Sequence, residues 1–194
     1  MSKDLIKIRF EESIATKQKA LADENLMTKI EEIADICIQS LRNGGKIIFC
    51  GNGGSAVDSM HLAAELSGRY YLDRPPLNAE SMSADNAFIT AVANDYGYEY
   101  IFSRLLKAKG KKGDILIGMS TSGNSKNIVE AFAAAKELGV KSVGWTGAKS
   151  CLMDSCDVLL KVPSSDTPRI QEAQMLIGHI ICEIIEKHFV ENPL

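Results

Sequence analysis

The segment Lys46–Glu65, KIIFCGNGGSAVDSMHLAAE, sets the architecture. Its first five residues are an apolar run bounded by glycines, the pattern of a parallel strand buried on both faces. The turn that follows, Gly51-Asn52-Gly53-Gly54, opens onto a helix expected over 55–67. Such a strand–turn–helix junction brings backbone N–H groups to a ligand at the helix N-terminus, which suits anions and polyhydroxylated molecules. Two nucleotide motifs can be tested against it. The P-loop fails, because no Gly-Lys-Ser/Thr follows. The dinucleotide fingerprint fits only loosely, as Gly51-x-Gly53-x-x-Ala56, with no acidic residue ending a second strand about 20 residues on. Glycines also make ordinary tight turns, so this loop alone leaves function open.

Working outward, residues 4–42 read as two helices. Leu5, Ile8, Phe10 and Ile14 begin an amphipathic pattern, and Leu26, Ile30, Ile33, Ile36, Cys37 and Leu41 give a clearer one, closed by Asn43-Gly44-Gly45. Downstream, a weak strand is expected near 78–82 and a helix from Asp85, its N-cap, to Asn94. A short helix follows over 99–108, then strand 114–119, helix 124–138, strand 140–145, strand 157–162 and a long closing helix over 168–189. Strands alternating with helices imply right-handed crossovers and a parallel sheet covered on both faces, a doubly wound α/β fold with an N-terminal helical pair. The stretch 69–78 reads as a loop inside one domain. The expected organisation is one unit over 1–194, with helices over 1–43 and the α/β core with its closing helix over 44–194.

A second loop, Ser120-Thr121-Ser122-Gly123-Asn124-Ser125, follows the strand DILIGM. Its hydroxyls, its glycine and a helix N-terminus make a donor set, without lysine, suited to one phosphate monoester. Ser122 or Asn124 could instead simply cap the helix. Two such loops at the C-terminal ends of two strands favour the ligand, since that edge is where open α/β sheets bind.

Composition excludes several classes. The 194-residue chain carries 22 Lys and Arg against 25 Asp and Glu, a net charge of −3 with no basic stripe for nucleic acid. No apolar run reaches the roughly 18–20 residues of a membrane span. The N-terminal MSKDLIKIRFEES has no signal-peptide core, so a cytoplasmic protein is expected. Five cysteines, an odd number without a CxxC pair, read as buried reduced thiols.

Of the three histidines, His61 stands four residues before Glu65, on one helix face. That spacing permits a shared metal ion or a mutual hydrogen bond. His179 lies among Ile177, Gly178, Ile180 and Ile181, which by pattern makes it a core residue. Gln171, eight residues earlier, is roughly 12 Å from it along a helix axis. His188 is expected to be solvated.

These residues together resemble the SIS (sugar isomerase) domain family, and within it the phosphoheptose isomerases. Besides the two loops, the resemblance rests on His61-x-x-x-Glu65-x-x-Gly68-Arg69, Ala93-Asn94-Asp95-Tyr96-Gly97, Phe102-Ser103-Arg104 and Arg169-Ile170-Gln171-Glu172. It implies phosphate contacts at Ser120, Thr121, Ser122 and Ser125. It also implies sugar contacts at Asn52, Gly53, Gly54, Ser55, Glu65, Asn94, Asp95 and Gln171. It assigns Glu65 as the base and His179 as the acid of an enediol isomerisation that converts D-sedoheptulose 7-phosphate to D-glycero-D-manno-heptose 7-phosphate. That reaction opens bacterial surface-heptose synthesis. The resemblance further implies a zinc site of His61, Glu65, Gln171 and His179, which two side chains so far apart on one helix could complete only by leaning together or with a neighbouring subunit's help. A homotetramer is implied too, in keeping with long first and last helices whose apolar surface exceeds what one small sheet covers.

Two alternatives remain. One is a non-catalytic relative that associates with the replication initiator DnaA, a relative that lacks counterparts of Glu65 and His179. The other is a phosphosugar-sensing transcription factor, for whose helix-turn-helix module the first 43 residues leave no room. The segment 164–168, SSDTP, departs from the family pattern in a way that bears on sugar specificity.

Overall fold

The computed structural model describes residues 2–149 and 151–193. Its elements run α1 (Ser2–Leu21), α2 (Glu24–Arg42), β1 (Ile47–Gly51), α3 (Gly54–Ser67), β2 (Ala79–Ser81) and α4 (Asn86–Asp95), then α5 (Ile101–Lys109), β3 (Ile115–Met119), α6 (Lys126–Leu138), β4 (Lys141–Thr146), β5 (Val158–Lys161) and α7 (Thr167–Glu191). Single 3₁₀ turns cover Tyr98–Tyr100 and Leu152–Ser155.

The five strands are all parallel, in the order β2-β1-β3-β4-β5. The chain leaves β1 for one side of the sheet and returns at β3 on the other. The switch point therefore lies between β1 and β3, where a doubly wound sheet opens a crevice. Their register aligns Ile47 with Ile115 and Gly51 with Met119, so Asn52 and Ser120 leave the sheet side by side.

Alternation along each strand divides two cores. Ile47, Phe49, Ile115, Ile117, Val143 and Trp145 face the cluster shared with α2, α3 and α7. Ile48, Cys50 and Leu116 face the cluster formed with α5 and α6. Each fully buried Ile, Leu or Phe there contributes roughly 1.5–3 kcal/mol. The expected strands and helices form with ends displaced by one or two residues. Asp85 caps α4, its Oδ1 accepting from the Phe88 N–H at 3.0 Å.

α1 leaves its apolar residues outside the core, in keeping with more apolar surface than one sheet covers: Leu5, Ile8, Phe10 and Ile14 are 47–67% exposed, and Thr16 is its one buried residue among those described. Three other readings need correction. Neither Ser122 nor Asn124 caps α6; Ser125 takes the N-cap position, and no side chain caps this end. His188 is half-buried, because Arg42 reaches across from α2 and places Nε 3.2 Å from its Nε2. All five cysteines are free, but only Cys37, Cys50 and Cys182 are buried; Cys151 and Cys156 are half-buried. Among the described residues no helix is long and apolar enough to cross a membrane.

Candidate active site

The loop after β3 curls on itself. Ser120 is buried, and its Oγ lies 2.8 Å from Ser125 Oγ and 3.4 Å from Ser122 Oγ, while it accepts from the Gly123 N–H at 3.2 Å. Gly123 adopts φ +67°, and a Cβ there would press within 2.6 Å of Cys151 Sγ and Thr146 Oγ1. Only glycine makes this turn. The result is a cluster of hydroxyls at an uncapped helix N-terminus, where unpaired N–H groups and the helix dipole favour an anion. Beside it lies a cavity of about 290 Å³ lined by Thr121, Ser122, Lys149, Ser164, Ser165 and Thr167. The fold thus supplies a lysine that the loop itself lacks. No local pattern marked it, since Lys149 comes from the turn after a different strand.

Across the switch point, Asn52 and Asn127 form a reciprocal amide pair, with Nδ2–H to Oδ1 distances of 2.9 and 2.8 Å. Tyr98 donates its hydroxyl to the same Asn52 Oδ1 at 2.9 Å. Asn127 is 2% exposed. Gly54 opens α3 against α7: a Cβ at this position would stand 2.6 Å from Gln171 Nε2. Ser55 is buried beneath the turn, and Gly53 is exposed. Asn94 and Asp95 sit at the exposed end of α4, bonded to each other at 2.9 Å.

The titratable groups gather where α3 passes α7. Glu65 Oε1 lies 3.1 Å from His61 Nε2, which lies 3.0 Å from His179 Nε2. The donor atoms of these three residues fall within 4.8 Å of one another. His179 is therefore half-exposed at the α3–α7 surface rather than a core residue, because Gly178, not His179, takes the inward position, tight against Leu62. Gln171 contacts the Gly54 turn, two helical turns before the cluster. Two imidazole nitrogens at 3.0 Å cannot both present lone pairs; either one carries a hydrogen or a cation lies between them. Two imidazoles and a carboxylate with a position left open are a donor set that fits zinc.

Behind the cluster runs a support that the sequence did not reveal. Glu186, buried in α7, accepts the backbone N–H groups of Tyr70, Tyr71 and Leu72 at 3.0, 2.8 and 3.0 Å. It stands 3.4 Å from Arg74 Nε, both side chains being 1% exposed. Arg74 in turn donates to the carbonyls of Leu66 and Glu65 at 2.8 and 2.9 Å. This clip fastens the 69–78 loop and lays the Tyr70 ring on His179, with centroids 5.5 Å apart and planes 21° from parallel. The Tyr70 phenol is held above the ordinary tyrosine range by its hydrogen bond with Tyr71, then by burial and by the charges of Tyr71, Glu183 and Glu65. A buried Arg–Glu pair is 112 residues apart in the chain, so no spacing rule could have found it.

A parallel sheet carrying a hydroxyl loop and a carboxylate–imidazole cluster defines the class of phosphosugar-handling α/β domains, and residues 9–147 match the SIS domain. The phosphoheptose isomerase of Aneurinibacillus thermoaerophilus is 48% identical over 190 residues, which cover 97% of this chain and 96% of that one. The structure of a phosphoheptose isomerase from Francisella tularensis superposes with a TM-score of 0.91 at 37% identity, covering 96% and 99% of the two chains. That of the Neisseria gonorrhoeae phosphoheptose isomerase gives 0.89 at 39% identity, covering 96% and 100%. The chain belongs to the phosphoheptose isomerase family of SIS-domain proteins.

Proposed function

We propose that this chain is an aldose–ketose isomerase that converts D-sedoheptulose 7-phosphate to D-glycero-D-manno-heptose 7-phosphate, the first step of surface-heptose synthesis. The observation that carries this reading is the meeting of Glu65 with His61 and His179, side chains 118 residues apart at their extremes, in a fold whose β3–α6 loop offers a phosphate site. Ser120, Thr121, Ser122 and Ser125 hold the phosphate. Asn52, Gly53, Gly54, Ser55, Asn94, Asp95 and Gln171 line the sugar's path. Glu65 takes the proton from the carbon beside the carbonyl, and the electron pair moves to form the enediol. The proton then returns to the neighbouring carbon. His179 moves protons between the two sugar oxygens as a general acid.

His61, Glu65 and His179 would hold a zinc ion, with Gln171 joining only if its side chain swings from Gly54 or comes from another subunit. Zinc, when bound, would polarise the carbonyl as a Lewis acid. A Glu65 that ligated the ion would be a weaker base, so the two roles compete. The binding-only, DnaA-associating alternative leaves this cluster without a use.

We also place the enzyme in the cytoplasm, a reading supported by five free cysteines. A homotetramer is supported by two separate apolar surfaces. One is the outer side of α1, with Leu5, Ile6 and Phe10; the other is on α3 and α7, with Val57, Leu176 and Ile180. Two different isologous contacts per chain generate a dihedral tetramer. Light scattering at micromolar protein tests this, and a monomer would refute it.

Proton and phosphorus NMR with sedoheptulose 7-phosphate in D2O, with chelator and with added zinc, tests the activity. Aldose phosphate carrying deuterium at C2 establishes an enediol isomerase. A folded protein that binds the sugar without converting it under any metal condition refutes it.

A further inference from the structure

The amide pair at the switch point has no counterpart among the residues that chemistry requires. Asn127 is the second residue of α6, directly after the hydroxyl loop, and its carboxamide is buried at a helix position that ordinarily takes an apolar side chain. It uses both its donor and its acceptor on Asn52, at 2.8 and 2.9 Å. Asn52 is committed in return. Its Oδ1 accepts from Asn127 Nδ2 and from the Tyr98 hydroxyl, which fills both lone pairs, and one Nδ2 hydrogen remains. Asn52 therefore cannot accept a hydrogen bond from a sugar hydroxyl through its side chain while this arrangement stands.

We infer that Asn127 is a positioning residue that fixes the separation between the phosphate loop after β3 and the glycine turn after β1, with Asn52 as its partner and Tyr98 as a brace. Resting on the phosphosugar reading, this gives Asn52 a part in the frame of the site and leaves it one Nδ2 hydrogen to donate to the sugar. The physical argument is geometric. Parallel strands fix the bases of the two loops, through Gly51 opposite Met119, but nothing in the sheet fixes their tips. A paired carboxamide is planar and bonded at both ends, so it sets the gap with little freedom. A ligand that bridges both loops depends on that gap, and a displacement of about 1 Å can cost on the order of a hundredfold in rate. A ligand that touches one loop only is indifferent to it.

That difference supplies the test. Asn127→Leu keeps the size and removes both hydrogen bonds to Asn52 without adding charge beside the phosphate loop. Steady-state kinetics with sedoheptulose 7-phosphate and inhibition by inorganic phosphate are measured on wild type and variant. The expected result is a fall in kcat/KM of about tenfold to a hundredfold with an unchanged inhibition constant for phosphate. Tyr98→Phe, which removes one exposed hydroxyl, should shift kcat/KM the same way by about fivefold. It serves where the leucine variant does not fold. Parallel weakening of substrate and inorganic phosphate would make Asn127 a general support of its loop and overturn the inference, as would unchanged kinetics in both variants. If inorganic phosphate fails to inhibit the wild-type enzyme, the phosphate assignment of the loop falls, and the inference falls with it.

Discussion

The hydroxyl loop and the histidine–carboxylate cluster are built in opposite ways. Ser120, Thr121, Ser122 and Ser125 lie within six consecutive residues, and their geometry is set by one turn, one glycine and one helix start. Glu65, His61 and His179 come from two helices and meet only because α3 and α7 pack on the same face of the sheet. A site of the first kind tolerates changes elsewhere in the fold. A site of the second kind inherits every shift of the helices that carry it, and needs a clip such as Arg74–Glu186 to hold it. The loop should therefore govern binding, and the cluster should govern turnover.

The largest effect should fall on the cluster. Glu65→Gln is expected to lower kcat by about a thousandfold or more, the scale of general base catalysis, while calorimetry still detects phosphosugar binding. An active Glu65→Gln enzyme would remove Glu65 from the base role and break the division. Next is the clip. Arg74→Met leaves Glu186 buried without its cation and should cost about 3–5 kcal/mol in urea unfolding. Wild-type stability in that variant would mean that the cluster stands without this support. A smaller change is expected from Ser120→Ala, which should raise KM by about tenfold with kcat little altered, the value of one hydrogen bond to a charged group. A loss confined to kcat would show that the loop takes part in the chemistry.

The smallest effect sharpens the same contrast through two cysteines. Cys151 lies half-buried against Gly123 of the loop, whereas Cys182 is buried on α7, where loss of solvent and the charge of Glu65 push its thiol up to about 12. Alkylation of the native protein near pH 8, read by mass spectrometry, should label Cys151 and spare Cys182 together with Cys37 and Cys50. Labelling of Cys182 would show that the α3–α7 packing opens.

Much of this was legible because it is local. The apolar runs at 46–50 and 114–119, the glycine turn and the Asp85 cap each act within a few residues, and they formed near their expected places. The i, i+4 spacing of His61 and Glu65 fixed their common face in the same way. His179 was misread from its apolar neighbours, since the pattern could not tell which side of α7 packs on Leu62 and which faces His61. α1 shows the converse, since its apolar residues lie outside the core and need not find their partner within the chain that carries them. Asn127, Tyr98, Lys149 and Glu186 gave no signal, because each acts on a residue brought near by the sheet.

By itself the sequence determined the doubly wound α/β class, the glycine turn, the hydroxyl loop and the family motifs, since short-range periodicity and backbone chemistry specify them. Tertiary structure alone decided that β1 and β3 adjoin, that Asn52 meets Asn127, and that two helices distant in sequence place His179 against His61. These contacts depend on strand order and helix packing, which follow from the burial of the whole chain and not from any segment of it.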